Sequence, residues 1–282
     1  MDDGLTVALR FGLRLDLMLL FGLGAFALWN GHRLARGAVM ALAIAGAGLS
    51  LSGLWAQAAS MAGVMLGEVD RTTIGFLLAD TSGGWAWLVR MNALAVMVFW
   101  PSPRGTALWG AVALATLAWG GHGVMNEGAL GWLHLGADIL HLLAAGLWIG
   151  ALATLLWFLA RARSCDGGGR VAAYDALAGF ARLGTIIVGL ILITGLINGW
   201  AILGPSGTPI PGEGLYGRLM TIKLALFAAM LGLAALNRFR LVPAFAADGR
   251  TGALRVSVAV EAALGITILL LVAWLGMLSP AS

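Results

Sequence analysis

Three of the four histidines in this 282-residue chain, His122, His134 and His141, fall in one stretch. The run GWLHLGADILHLLAAGLWIGALATLLWFLAR reads as a helix. His134, Asp138 and His141 therefore sit at i, i+4 and i+7 and project from one face. At 1.5 Å of rise per residue the two imidazoles are ~10 Å apart along the axis. That is too far for one metal ion unless the helix bends or both rotamers lean toward a shared centre. Asp138, between them, can bind a cation or accept an imidazole proton and so fix the tautomer. His122 closes the preceding apolar run in WGGHGVMNEGALGWLH, and the step to His134 returns it to the same membrane face. Met125 lies in the same connection. Met61 and Met65 are expected to share a face at the outer end of the second apolar run. Imidazole and thioether are borderline and soft donors that suit copper, Cu(I) above all. Zinc more often recruits Cys or a denser His and carboxylate set. Haem held by His122 and His141 from two facing helices stays open on these residues alone. Most of the 11 methionines read as packing, and a single intramembrane histidine is commonly a helix–helix hydrogen bond. His32, beside Arg33 and Arg36, reads as interfacial.

The elements that position these residues are membrane helices. Sixty per cent of the chain is hydrophobic and 11% charged, with mean hydropathy +0.93. A soluble domain keeps roughly 25% of its residues charged. About 20 apolar residues cross a hydrocarbon core of ~30 Å as a helix, and such runs repeat from end to end. The alternating ~10-residue strands of a β-barrel are absent. The expected fold is all-α, one transmembrane domain over 1–282 with about eight spans. These lie near 11–30, 37–66, 84–101, 105–123, 131–160, 176–203, 215–237 and 253–278, separated by Gly- and Pro-bearing breaks. Membrane lipid is thus the first partner. The net charge of +4 comes from arginines in short loops, where they act as topology signals, so no nucleic-acid partner is expected. The lone Cys165 offers no disulfide or thiolate cluster within one chain. The first apolar run, with Arg10, Arg14 and Asp16, fits a retained helix better than a cleaved signal.

Loop charge sets the orientation. Arg33, Arg36, Arg104, Arg161, Arg163, Arg170, Arg238, Arg240 and Arg250 fall on one side. Asp2, Asp3, Glu68, Asp70, Asp80, Glu127 and Glu213 fall on the other, against a single Arg71. The arginine-rich side is cytoplasmic by the positive-inside rule, which puts both termini and the histidine cluster on the periplasmic side. Ionisable residues inside the bilayer cost several kcal/mol and face partners or wet cavities. Arg90 and Lys223, near the outer ends of their spans, are therefore expected to supply a cation to Asp138. Glu261 and Asn237 form a second group toward the cytoplasmic end, more simply read as an interhelical clamp. Asn198 and Trp148 are expected to pack between helices.

Several of these motifs resemble the copper-resistance protein D family. GHGVMNEGALGWLHLGADILHLLAAGLWIGAL is similar to its core signature, with His122, His134, Asp138, His141, Trp148 and Gly150 in matching positions. LADTSGGWAWLVR, FARLGTIIVGLILITGLINGW, YGRLMTIKLALFAAMLGLAALNRFRLVP and LRVSVAVEAALG follow in the family's order. The resemblance covers most of residues 70–280 and implies a bacterial inner-membrane protein handling copper. It also implies a separate periplasmic copper-binding partner resembling CopC, because no such β-domain is read in this chain. The leading expectation is copper transport, most simply import, or tolerance. His122, His134, His141 and Asp138 would form the outer site for a copper ion, with methionines as a relay and Glu261 and Asn237 marking the inner half of a path. No enzyme activity and no nucleotide-binding motif are expected. The alternatives are a haem-binding electron-transfer protein, and a copper chaperone or assembly factor that does not transport.

Overall fold

The computed structural model describes residues 3–120, 128–161, 168–203, 214–248 and 251–278. Among these residues all regular structure is helical. The helices are α1 (Asp3–Asn30), α2 (Arg36–Ala62), α3 (Arg71–Asp80), α4 (Ser82–Phe99), α5 (Pro103–Ala115), α6 (Gly128–Arg161), α7 (Gly168–Leu203), α8 (Gly214–Leu236), α9 (Val242–Asp248) and α10 (Gly252–Leu275). Short 3-10 turns at Leu66–Glu68 and Thr116–Gly120, and a π turn at Asn237–Leu241, complete them. In a bilayer each backbone N–H and C=O must be satisfied within its own segment, which is why long helices dominate.

Among the described residues, six helices are long and apolar enough to cross a membrane: Gly4–Asn30, Arg36–Ala62, Gly128–Arg161, Leu183–Ile202, Gly214–Ala247 and Gly252–Leu275. The other two expected spans, α4 and α5, fall short of that measure. Arg90 and Asn92 interrupt α4, which has 18 residues. α5 has only 13 and tightens into the 3-10 turn through Gly120.

Local chemistry marks the boundaries. Ser102 caps α5 through Gly105 N (3.0 Å), with Pro103 in the first turn. Thr81 caps α4 through Gly84 N (3.0 Å). Asp70 caps α3 through Thr73 N (2.8 Å), and its bonds to Thr73 hold its carboxyl below the usual carboxylate range. Gly63, at φ +68°, ends α2 with a left-handed C-cap. The connection 67–80 thus contains α3, a short helix packed on α2 and α4, where the sequence suggested only a loop.

α1 is the pivot of the packing, lying against α2, α5, α6 and α10. One core joins Leu17, Met18 and Leu20 of α1 to α2, α4 and α5. The other joins Phe26 of α1 to α6, α7, α9 and α10 around Trp148 and Leu152. α1 and α6 meet backbone to backbone. A Cβ on Gly22 would stand 2.1 Å from the Gly146 carbonyl oxygen, and one on Gly150 would stand 2.2 Å from the Gly22 carbonyl carbon. Only glycine fits, as at close membrane-helix crossings generally. α7 and α8 are the most peripheral spans, with 17% and 11% of their apolar windows buried.

Candidate metal site

α6 carries His134, Asp138 and His141 on one continuous helix. His134 is only 2% exposed, while Asp138 and His141 are half-buried. His141 Nδ1 lies 3.0 Å from Thr194 Oγ1 of α7. The Thr194 hydroxyl donates its hydrogen to the Leu190 carbonyl at 2.5 Å, so toward His141 it acts as an acceptor. The imidazole proton therefore sits on Nδ1, and the Nε2 lone pair is left for a metal.

Asp138 Oδ1 accepts from Asn198 Nδ2 of α7 at 3.3 Å. Asn198 Oδ1 is buried without a hydrogen-bond partner. Lys223 of α8 lies within electrostatic reach of both Asp138 and His141, and Arg14 of α1 within reach of Asp138. Of the two cations expected near Asp138, Lys223 is there. Arg90 instead donates from NH1 to Thr116 Oγ1 at 3.3 Å. Just outside this layer, Arg10 NH1 donates to the Gly276 carbonyl at 2.7 Å, a cation at a helix C-terminus.

His122 and Met125 lie outside the described residues. Among the described residues, no three His, Cys, Asp or Glu side chains come together closely enough to hold a metal ion. The reason is the spacing: on an unbroken helix, positions i and i+7 remain ~10 Å apart. Met61 and Met65 do not share a helix face. The Gly63 cap ends α2 at Ala62, and Met65 precedes the 3-10 turn, where its N–H donates to Glu68 Oε2 at 3.1 Å. Both methionines are exposed, at 53% and 75%. His32 sits edge-on between Phe26 and Phe158, and burial lowers its basicity below the ordinary value.

A second polar cluster forms deeper in the bundle. Glu261 of α10 is 1% exposed. Trp148 Nε1 donates to its Oε1 and Asn237 Nδ2 to its Oε2, both at 2.9 Å. Three motifs far apart in the chain thus meet at one carboxylate. Asn237 opens the π turn, a wider turn that often marks functional positions.

Reading the sequence alone missed three participants and one buried carboxylate elsewhere on α1. Thr194 is the partner that fixes His141, and its only local signal is a hydroxyl in an apolar run. Asn198 bonds the site rather than merely packing. Arg14 reads in the sequence only as a sign against signal cleavage, yet it lies within electrostatic reach of Asp138, more than a hundred residues away. Asp16 is buried on α1 against Gly46, with Oδ2 unpartnered.

Two family models cover most of the chain: "copper resistance protein D-like, N-terminal domain" over residues 1–132 and "copper resistance protein D" over 174–275. A relative of that second name from Pseudomonas syringae pv. tomato is 38% identical, over 99% of this chain and 98% of its own. The inner membrane protein YebZ of Escherichia coli (strain K12) is 27% identical over 97% and 98%. The copper transport protein CutJ of Bacillus subtilis (strain 168) is 28% identical over 57% of this chain and 31% of its own. No solved structure matches.

Proposed function

Because the chain belongs to the copper-resistance protein D family, we propose that it binds copper ions at the periplasmic end of its bundle and carries them inward. It is a multi-pass protein of the inner membrane. In this reading it crosses eight times, with both termini periplasmic. α4, at 18 residues, is about 27 Å long at 1.5 Å per residue. α5 and its 3-10 turn hold 13 and 5 residues and together reach about 30 Å. Both lengths match the hydrocarbon core, and in α4 Arg90 bonds inside the bundle, to Thr116.

The observation that carries the copper reading is the presentation of His141. Thr194 holds the ring with its Nε2 lone pair free, which is how a metal-binding histidine is oriented. The ~10 Å between His134 and His141 favours two successive stations over one chelate. Copper enters between His122 and His134 and passes to His141, with Asp138 between the stations offsetting the charge of Arg14 and Lys223. Imidazole ligands accept either Cu(I) or Cu(II). A separate periplasmic copper-binding protein of the CopC kind would deliver the ion. Glu261 has both oxygens occupied by donors, which supports a clamp more than a copper ligand.

The test is copper titration of purified wild type and of the His134→Ala, His141→Ala double variant, with uptake into proteoliposomes. The double variant is expected to lose at least tenfold in affinity and to stop uptake. Unchanged affinity would sink the site. Binding without lumenal copper would leave a chaperone, and a Soret band in the absorption spectrum would replace copper with haem.

A further inference from the structure

Between α7 and the end of α8 the bundle holds a cavity of about 270 Å³, bounded also by α6, the π turn and α10. Phe180, Val188, Leu231 and Val242 form half-buried apolar walls. Four of the lining residues are exposed, Thr185, Ala235, Arg238 and Phe239, and these mark its mouth. The surface around the mouth is apolar. Ile186 and Leu236, beside Thr185 and Ala235 in the chain, are 61% and 41% exposed and belong to the spans Leu183–Ile202 and Gly214–Ala247. Bare aliphatic side chains on a membrane span meet lipid rather than water, so the cavity opens toward the bilayer. Thr185 lies at the start of its span, where the headgroup region begins.

A cation is fixed in this mouth. Arg238 NH1 donates to Thr185 Oγ1 across the gap between the π turn and α7. Its guanidinium stands over the Phe239 ring, 5.5 Å from the centroid. Among the described residues no carboxylate pairs with it. Glu261, at the buried end of the cavity, already accepts from Trp148 and Asn237. A guanidinium carries its N–H donors in a planar fork that fits phosphate oxygens. Such a cation at the rim of an apolar cavity selects an anion with a long apolar chain. The volume falls just below the roughly 300–1,000 Å³ of pockets that enclose a whole ligand, so it takes one chain of a lipid and leaves the rest in the bilayer. We propose that this cleft binds an anionic phospholipid, its phosphate accepting from Arg238 and one acyl chain lying between α7 and α8. Basic pockets between membrane helices hold lipid headgroups by the same chemistry. The site is distinct from the histidines of α6 and does not depend on the copper reading.

The experiment uses the full chain in phosphatidylcholine nanodiscs with a phosphatidylglycerol bearing a diazirine on one acyl chain, and maps labelled residues by mass spectrometry. Saturable labelling of the inward-facing Phe180, Val188 or Leu231 is expected. At equal mole fraction, unlabelled phosphatidylglycerol should displace the label at least tenfold better than phosphatidylethanolamine. Arg238→Gln should abolish that preference. Arg240→Gln, at an exposed arginine that does not line the cavity, should keep it. Ala235→Phe narrows the mouth and should block labelling while copper titration stays as in wild type. Label confined to Ile186 and Leu236, or equal displacement by the two lipids, would overturn the proposal and leave ordinary boundary lipid. Equal loss in the two arginine variants would overturn it as well, reducing the effect to surface charge.

Discussion

At the residue scale, the decisive contact is one hydroxyl. Thr194 spends its hydrogen on a backbone carbonyl and offers a lone pair to His141. Valine has nearly the same shape but no acceptor, so Thr194→Val leaves the packing intact and frees the ring to choose the other tautomer. Loss of such an orienting partner typically costs 10–100-fold in metal affinity. We expect a loss in that range on competition titration with a chromophoric copper chelator, restored by Thr194→Ser. The face shared by His134, Asp138 and His141 was legible because helical spacing is a local property. Thr194, Asn198 and Arg14 were not, because each meets the site across 50 or more residues. A single apolar sequence holds no signal for which distant hydroxyl or guanidinium arrives. Lys223 was legible for a different reason: a lone lysine inside a span must find an anion.

At the element scale, the seam between α1 and α6 depends on Gly22 and Gly150, each of which meets the other helix's backbone. Here the obstacle is backbone, which cannot swing aside as a side chain would. Gly150→Leu is expected to destabilise by at least the roughly 1–3 kcal/mol of ordinary overpacking, seen as a lowered Tm in detergent. Gly48→Leu, on α2 with nothing within 4 Å of its added Cβ, should melt like wild type. The element boundaries were largely legible, since Ser102-Pro103 and Thr81 are recognisable helix starts. Two were not. The sequence carried the second span to residue 66, because Val64 and Met65 are apolar, whereas Gly63 stops the helix through its backbone conformation. α3 was hidden because a ten-residue surface helix carries too few apolar residues to stand out from a loop.

At the scale of the whole molecule, the question is whether the α4–α5 hairpin crosses. Both six and eight spans put the termini on one side, so labelling the ends does not distinguish them. Arg104 does, since it is exposed at the tip between α4 and α5. In a Cys165→Ser background, Arg104→Cys should resist a membrane-impermeant maleimide in intact cells and react after permeabilisation. Labelling in intact cells would reduce the count to six. The charge pattern reads this tip as cytoplasmic, which the labelling tests. Hydropathy alone did not foretell the weakness of α4, because Arg90 and Asn92 cost apolarity while Arg90 gains an internal partner.

The glycine seam also separates what is fixed from what can yield. α6 is locked to α1 by backbone contact, so the two histidines ride on a stator. Their polar partners come from other helices: Thr194 and Asn198 from α7, which packs along α6, and Lys223 from α8, which packs on α10. A small tilt of either helix would leave the imidazoles where they are and change only the company they keep. The gearing of the site is therefore one-sided. In the proposed copper site the imidazoles would stay put, and the strength with which an ion is held would be set from α7 and α8.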